Sequence, residues 1–296
     1  MMKRICIVFL VFLCVSCKSE TQKQEGIVVK NYNTPSVLLE TFKYTPNAKP
    51  LISVHRGGKG IKHYPENCLE TLTYISDSIH DAIFEIDVAK TKDGILVLMH
   101  DNTLERTSTG KGKITDYTFA ELQNFNLKDD FGNITIYTIP LFSDVLKWAR
   151  DHNVILTIDI KQSVAVENVV ALIRDAKAQD ISVIITYDLK QAERANAIAP
   201  ELLLSVSARN NKEFEWLLHS GIPTENMLAF TGTRLSPDSL YHKIHKNGIK
   251  TMLGTLGNLD KRAEARGDSL YRVWVSKGID IIATDRPFAA ATAIKN

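Results

Sequence analysis

Four short clusters of ionisable side chains sit at the ends of apolar runs in this sequence: His55-Arg56-Gly57, Glu85-Ile86-Asp87, Met99-His100-Asp101 and Asp159-Ile160-Lys161. On an extended strand, residues i and i+2 share a face. Glu85 and Asp87 therefore project together, as do Asp159 and Lys161. Charged groups at inward-facing strand ends are costly to bury unless something compensates them. Three carboxylates converging on one mouth, with His55, His100, Arg56 and Lys161 nearby, need either a cation or a dense salt-bridge network.

The elements that must position these groups are legible as a rhythm. Short aliphatic runs occupy residues 51–54, 82–88, 154–160, 181–186, 202–206, 227–230, 248–253 and 279–283. Being apolar on both faces, they suit parallel strands covered by helices. Amphipathic stretches lie between them, among them 66–79, 141–153, 164–179, 212–219 and 237–247. Eight strands alternating with helices over this length is the arithmetic of an α/β fold, a closed (β/α)8 TIM barrel, with an open doubly wound sheet as the alternative. The rhythm breaks once. About fifty residues separate the second strand from the helix near Leu141, and they read as a hairpin plus a small insertion at about 101–138. In barrels, the strand-to-helix loops form the active-site face.

The motifs, taken in order, are His55-Arg56-Gly57, Pro65-Glu66-Asn67, Glu85-Ile86-Asp87-Val88, Thr91-Lys92-Asp93-Gly94, His100-Asp101, Leu104-Glu105-Arg106-Thr107, Ile139-Pro140, Asp159-Ile160-Lys161, Gly278-Ile279-Asp280 and Thr284-Asp285-Arg286-Pro287. This series resembles the glycerophosphodiester phosphodiesterase family over about residues 51–288. The resemblance implies a (β/α)8 barrel with an insertion after the second strand. It also implies a divalent cation, Ca2+ or Mg2+, on Glu85, Asp87 and Asp159, since all-oxygen ligation suits a hard cation and suits zinc poorly. Arg56 and Lys161 would add donors to the substrate phosphate. His55 and His100 would divide the acid and base roles, with motif order favouring His100 as the acid. The implied reaction cleaves a glycerophosphodiester to an alcohol and glycerol 3-phosphate.

Two positions depart from the family pattern. Asp159 stands where Glu is commoner, which shortens the third ligand by one methylene, although Asp occupies this place in the related sphingomyelinase D group. Thr251-Met252-Leu253-Gly254 replaces the usual Trp and polar residue that end the seventh strand. Two other functions stay open: a phospholipase D-like enzyme acting on lysophospholipids or sphingomyelin, and a non-catalytic phosphate-binding lipoprotein. Glu66 reads either as a residue of the pocket edge or as a cap of the following helix. Asp285 reads as a network or helix N-terminal residue, Cys68 as packing, and the remaining six histidines as surface.

The N-terminus has the pattern of an export signal. Lys3 and Arg4 precede an eleven-residue apolar run, residues 5–15, which is too short to span a bilayer, and the chain turns polar directly after Ser16-Cys17. This end resembles a bacterial lipobox, with Cys14 where an aliphatic residue is usual. The expected organisation is a lipoprotein signal peptide at 1–16, an acylated Cys17, a tether over 17–45, and a barrel domain over 46–296. The protein is then expected to be exported and lipid-anchored to a bacterial membrane, on its periplasmic or cell-surface face. Cys68 alone would remain as a free thiol, so no intramolecular disulfide is available and the core supplies the stability. With 36 Lys+Arg against 34 Asp+Glu there is no basic excess for nucleic acid. No protein partner is implied. A chain 44% hydrophobic and 24% charged is also unlike a disordered or multi-spanning membrane protein.

Overall fold

A computed structural model describes residues 36–295. The expected signal at 1–16, Cys17 and most of the expected tether lie outside the described residues. Eleven strands are described: β1 (Leu51–Val54), β2 (Ile83–Lys90), β3 (Leu96–Leu98), β4 (Asn126–Lys128), β5 (Ile134–Thr138), β6 (Leu156–Ile160), β7 (Ser182–Ile185), β8 (Leu203–Ser207), β9 (Met227–Phe230), β10 (Thr251–Gly254) and β11 (Ile281–Thr284). Eight of them are parallel and run in the order β1-β11-β10-β9-β8-β7-β6-β2, and β2 pairs back onto β1 to close the barrel.

The helices are α1 (Val37–Thr41), α2 (Leu69–Ser76), α3 (Phe119–Leu122), α4 (Phe142–Asp151), α5 (Val166–Asp175), α6 (Leu189–Ile198), α7 (Asn211–Leu218), α8 (Asp238–Lys246), α9 (Asn258–Arg266), α10 (Leu270–Val275) and α11 (Pro287–Lys295). Their apolar stripes cover the outer faces of the strands. In α4, for example, Phe142, Val145, Leu146 and Ala149 are buried at helical spacing. The side chains of Asp188 and Asn210 cap α6 and α7 by accepting from backbone N–H groups three residues on.

Strand alternation explains how one sequence builds both the core and the site. Phe84, Ile86 and Val88 point outward into the layer beneath the helices. Ile83 points inward, and the same inward row continues through Glu85 and Asp87. In β6, Leu156 and Ile158 point outward while Thr157 and Asp159 line the interior. β2 and β6 thus spend one face on packing and free the other, at the C-terminal end, for polar groups.

The N-terminal mouth is closed by α1. Leu38, Leu39 and Phe42 pack on Ile83, Val183, Leu203, Leu228 and Ile281, which lie at the strand beginnings. Burying three such side chains is worth about 1.5–3 kcal/mol each. Lys250 adds a bond from its ammonium to the carbonyl of Lys43, at 2.6 Å. Beside it His245 stacks on Tyr44 at 3.7 Å and pairs with Asp280 at 2.9 Å. His245 is therefore an inter-element brace, which corrects the reading of all six remaining histidines as surface. Among the described residues no helix is long and apolar enough to cross a membrane.

The break in rhythm after β2 is an antiparallel return, β3, followed by α3 and the β4–β5 ribbon. A separate cluster of Ala89, Val97, Met99, Leu104, Ile114, Leu122, Leu127 and Ile139 gives this insertion its own core. Thr118 and Glu121 form a reciprocal capping box that starts α3.

Candidate active site

Register builds the centre of the site. Parallel pairing sets Glu85 beside Thr157 and Asp87 beside Asp159. The carboxylates of Glu85, Asp87 and Asp159 come within 4.8 Å of one another. The Lys161 ammonium lies 2.6 Å from Asp87 Oδ1 and 2.7 Å from Asp159 Oδ2. Asn67 donates from Nδ2 to Asp87 Oδ2 at 2.7 Å, and its own Oδ1 accepts from the Asp87 backbone N–H. Lys161 is therefore shared between two of the three carboxylates, and one positive charge faces three negative ones. The Glu85 carboxyl is pushed well above its ordinary range, first by burial and then by the charges of Asp87 and Asp159. A hard divalent cation fits a set of three oxygen donors with this surplus of negative charge.

The end of β1 turns sharply to deliver His55 and Arg56. Arg56 takes a left-handed conformation, φ 52°, which aims its backbone N–H at Glu85 Oε2, at 2.6 Å. Gly57 follows at φ 66°, where a Cβ would stand 2.6 Å from Leu72 Cδ1, so both conformation and space require glycine. His55 Nδ1 lies 2.6 Å from Asp285 Oδ1, and its Nε2 turns toward the carboxylates, 4.0 Å from Glu85 Oε2. Burial raises the Asp285 carboxyl, but the hydrogen bond and charge of His55 outweigh it and leave the group below its usual range. Asp260 in turn accepts from the Asp285 backbone N–H at 2.8 Å and from the Tyr271 hydroxyl. Asp285 is thus a network residue, bonded to His55.

His100 has a carboxylate of its own: its Nδ1 lies 2.7 Å from Asp101 Oδ1. Its Nε2 lies 2.8 Å from Arg56 Nη2. Arg56 Nη1 donates to both oxygens of Glu66, at 3.2 and 3.3 Å. Arg106 bonds the same Glu66 carboxylate at 2.7 and 2.9 Å, and bonds Asp101 at 2.6 and 3.0 Å. These five side chains form a closed ring. Burial works against ionising Glu66, but Arg106 and Arg56 together hold its carboxyl below the ordinary value. Glu66 is buried, lies three residues before α2 and does not cap it; it anchors the guanidinium that meets His100.

A cavity of about 280 Å³ opens at this mouth. His55, Glu85, Asp87, His100 and Asp159 form one wall, and Phe230, Met252 and Leu256 form an apolar one. Met252 comes from the strand that departs from the family pattern. Ser53 Oγ, which lines the cavity, and Arg56 Nε are buried with no protein partner.

The predicted site residues gather in one place, apart from Cys17, which lies outside the described residues. Sequence reasoning gave no role to Asp101 or Arg106, although both stand within quoted motifs. It missed Tyr187, which lines the cavity and whose phenol is pushed up by burial and then by the charge of Asp159; no local pattern marks a loop tyrosine brought in from the next strand. Cys68 is buried, its thiol raised by burial and by Glu70, as a packing residue would be.

Comparison with known proteins bears on this geometry. The model of the glycerophosphoryl diester phosphodiesterase family matches residues 55–213, more than half of the chain. The chain belongs to this family. It is a phosphoric diester hydrolase. A solved glycerophosphoryl diester phosphodiesterase from Parabacteroides distasonis is 37% identical, with a TM-score of 0.78 over 87% of this chain and 90% of that one. A glycerophosphodiester phosphodiesterase from Caldanaerobacter subterraneus is 25% identical over 81% of this chain and 95% of its own length. An Oleispira antarctica phosphodiesterase, solved with the product sn-glycerol-3-phosphate, shares the fold at 22% identity and a TM-score of 0.69, over 87% of this chain and 99% of that one. The family's matched segment contains both histidines and all three carboxylates described above.

Proposed function

We propose that the chain hydrolyses glycerophosphodiesters to an alcohol and glycerol 3-phosphate, with Ca2+ or Mg2+ held by Glu85, Asp87 and Asp159. The observation that carries this reading is the convergence of those carboxylates within 4.8 Å, beside two histidines that each have a carboxylate on Nδ1. When bound, the cation supplies positive charge to the non-bridging phosphate oxygens. Arg56 donates to the same oxygens through its guanidinium, whose Nε has no protein partner. Lys161 spends two of its three N–H donors on Asp87 and Asp159 and keeps the third for phosphate. His55, with Nε2 turned toward the carboxylates, takes the proton from the attacking oxygen. His100, once Arg56 has moved from Nε2 to phosphate and that nitrogen has taken up a proton from solvent, protonates the departing alkoxide. Asp285 and Asp101 hold the two rings by their Nδ1–H groups, which directs proton transfer to Nε2, open in His55 and covered by Arg56 in His100 until phosphate draws that guanidinium away. The apolar wall of Phe230, Met252 and Leu256 gives the carbon skeleton of the glycerol a surface to lie on.

The chain is further proposed to be exported and anchored through an acylated Cys17. In support, the described chain enters the domain at α1, in the barrel mouth opposite the site. The intervening residues could span at most roughly 65 Å.

The test is a panel of soluble glycerophosphodiesters assayed for released glycerol 3-phosphate, in protein stripped with a chelator and then resupplied with Ca2+, Mg2+ or Zn2+. Turnover that disappears on chelation and returns with Ca2+ or Mg2+ is the expected result. Full activity after stripping overturns the metal assignment. Activity confined to lysophospholipid or sphingomyelin assigns the phospholipase D-like chemistry instead, and phosphate binding without turnover assigns a binding protein.

A further inference from the structure

We infer that Arg106, carried by the insertion, is a positioning residue that sets the proton arrangement of His100 and the place of Arg56 together. The inference rests on the acid/base reading of His100 given above. Arg106 touches neither the cavity nor the carboxylate cluster; it acts through two carboxylates. On one side it bonds Asp101, which accepts from His100 Nδ1. On the other it bonds Glu66, which holds Arg56 Nη1. Arg56 Nη2 then meets His100 Nε2 at 2.8 Å and closes the ring.

The chemistry of a guanidinium makes this arrangement directional. Arg56 and Arg106 can only donate, so Asp101 and Glu66 must accept from them as carboxylates. Because Arg56 also only donates, His100 Nε2 must accept and the ring proton must sit on Nδ1, facing Asp101. A planar fork with five donors can bridge two carboxylates at once, whereas an ammonium is a point charge with no such fixed geometry. Replacing Arg106 by Lys keeps the charge and removes the bridge.

The insertion supplies a rigid base for that fork. Leu104, Thr107 and Ser108 around Arg106 are buried. Ser108 donates to the Leu104 carbonyl at 2.8 Å, the Leu104 N–H bonds the Gly112 carbonyl, and Thr107 Oγ1 lies 3.3 Å from Met99 Sδ, one residue before His100. The insertion core thus fixes the turn that presents Arg106, and the turn fixes the ring.

The experiment uses the full chain with 15N-labelled histidine, the His100 signals being assigned by their loss in His100→Gln. In the wild type, His100 should show a single tautomer with the proton on Nδ1. In Arg106→Ala and Arg106→Lys that signal should give way to a mixture, at a thermal midpoint close to wild type for the Lys variant. Partners that orient metal-ligating histidines are worth about 10- to 100-fold, and by analogy kcat on glycerophosphodiesters should fall by a factor of that order. Arg106→Ala combined with Asp101→Asn should be no worse than the slower single variant by more than about threefold. An unchanged His100 tautomer in Arg106→Lys, or losses that multiply fully in the double variant, overturns the inference. Because the tautomer is read without turnover, a protein that lacks the proposed activity but shows the tautomer change refutes the functional reading and leaves the positioning role standing.

Discussion

Arg56 Nη2 stands 2.8 Å from His100 Nε2, so the group proposed to bind phosphate rests on the nitrogen proposed to deliver the proton. A guanidinium lacks a lone pair to offer, and His100 is therefore held as an acceptor at that atom. Phosphate must draw Arg56 toward itself before Nε2 can carry a proton to the leaving group. Arg56→Ala removes charge-assisted hydrogen bonds worth about 1.5–3 kcal/mol, and kcat/KM should fall roughly 10- to 150-fold at 1.36 kcal/mol per decade. Arg56→Lys should stay at least about tenfold impaired, because an ammonium cannot serve Glu66 and phosphate in one plane. A Lys variant with wild-type kcat/KM would show that charge alone suffices.

Glu66 links acid stability to the same ring. Its carboxyl is held below its ordinary value of 4.5 by Arg106 and Arg56, against the opposing effect of burial. The sign follows from linkage: stability from this group is fully present above 4.5 and is lost as pH falls through the lower, folded value. Breaking a buried pair by removing one partner costs about 3–5 kcal/mol, and a domain of this size shifts by about 2–4 °C for each kcal/mol. Glu66→Gln should therefore melt roughly 6–20 °C lower at pH 7, with the gap to wild type narrowing below about pH 4. Melting curves from pH 3 to 7 measure this, and a gap that is constant across the range refutes the linkage.

Strand periodicity made the barrel legible, because each strand is apolar on its outward face and its polar residues are displaced to one end. Glu85, Asp87 and Asp159 were readable for the same reason: spacing of two on a strand fixes a shared face. Asp285 was readable as a network residue, but which side chains the supporting groups meet was not. Asp285 meets His55 across 230 positions, where β11 closes on β1, and Tyr187 lines the same cavity from beyond β7, relationships that leave no local spacing to detect. Glu66 was legible as important and illegible as to role, since a carboxylate just before a helix has the same pattern whether it caps the helix or holds an arginine.

Membrane retention should depend on Cys17. Cys17→Ser should release the protein from the membrane fraction or leave the precursor uncleaved, and fractionation followed by mass analysis of the N-terminus distinguishes the two. Because the described chain enters at α1, opposite the cavity, the released protein should keep wild-type kcat and KM on soluble diesters. Normal cleavage with unchanged membrane retention refutes Cys17 as the anchor.

The two histidines should separate by leaving group. Each ring has a carboxylate on Nδ1, Asp285 at 2.6 Å for His55 and Asp101 at 2.7 Å for His100, so neither differs in how it is oriented. They differ at Nε2, which faces the carboxylate cluster in His55 and the Arg56 guanidinium in His100. The first position suits removal of a proton from the attacking oxygen, and the second can donate to the departing one only after phosphate has drawn Arg56 off Nε2. A nitrophenolate departs without a proton, whereas the alkoxide of ethanolamine needs one. General-acid assistance contributes about 10²- to 10⁴-fold, roughly 3–5 kcal/mol of barrier. His100→Ala should therefore lose that factor on glycerophosphoethanolamine and much less on a p-nitrophenyl diester, while His55→Ala should be impaired on both. Reversed sensitivities would exchange the two roles. Equal losses on both substrates in both variants would leave the histidines as positioning groups, with proton transfer assigned to neither.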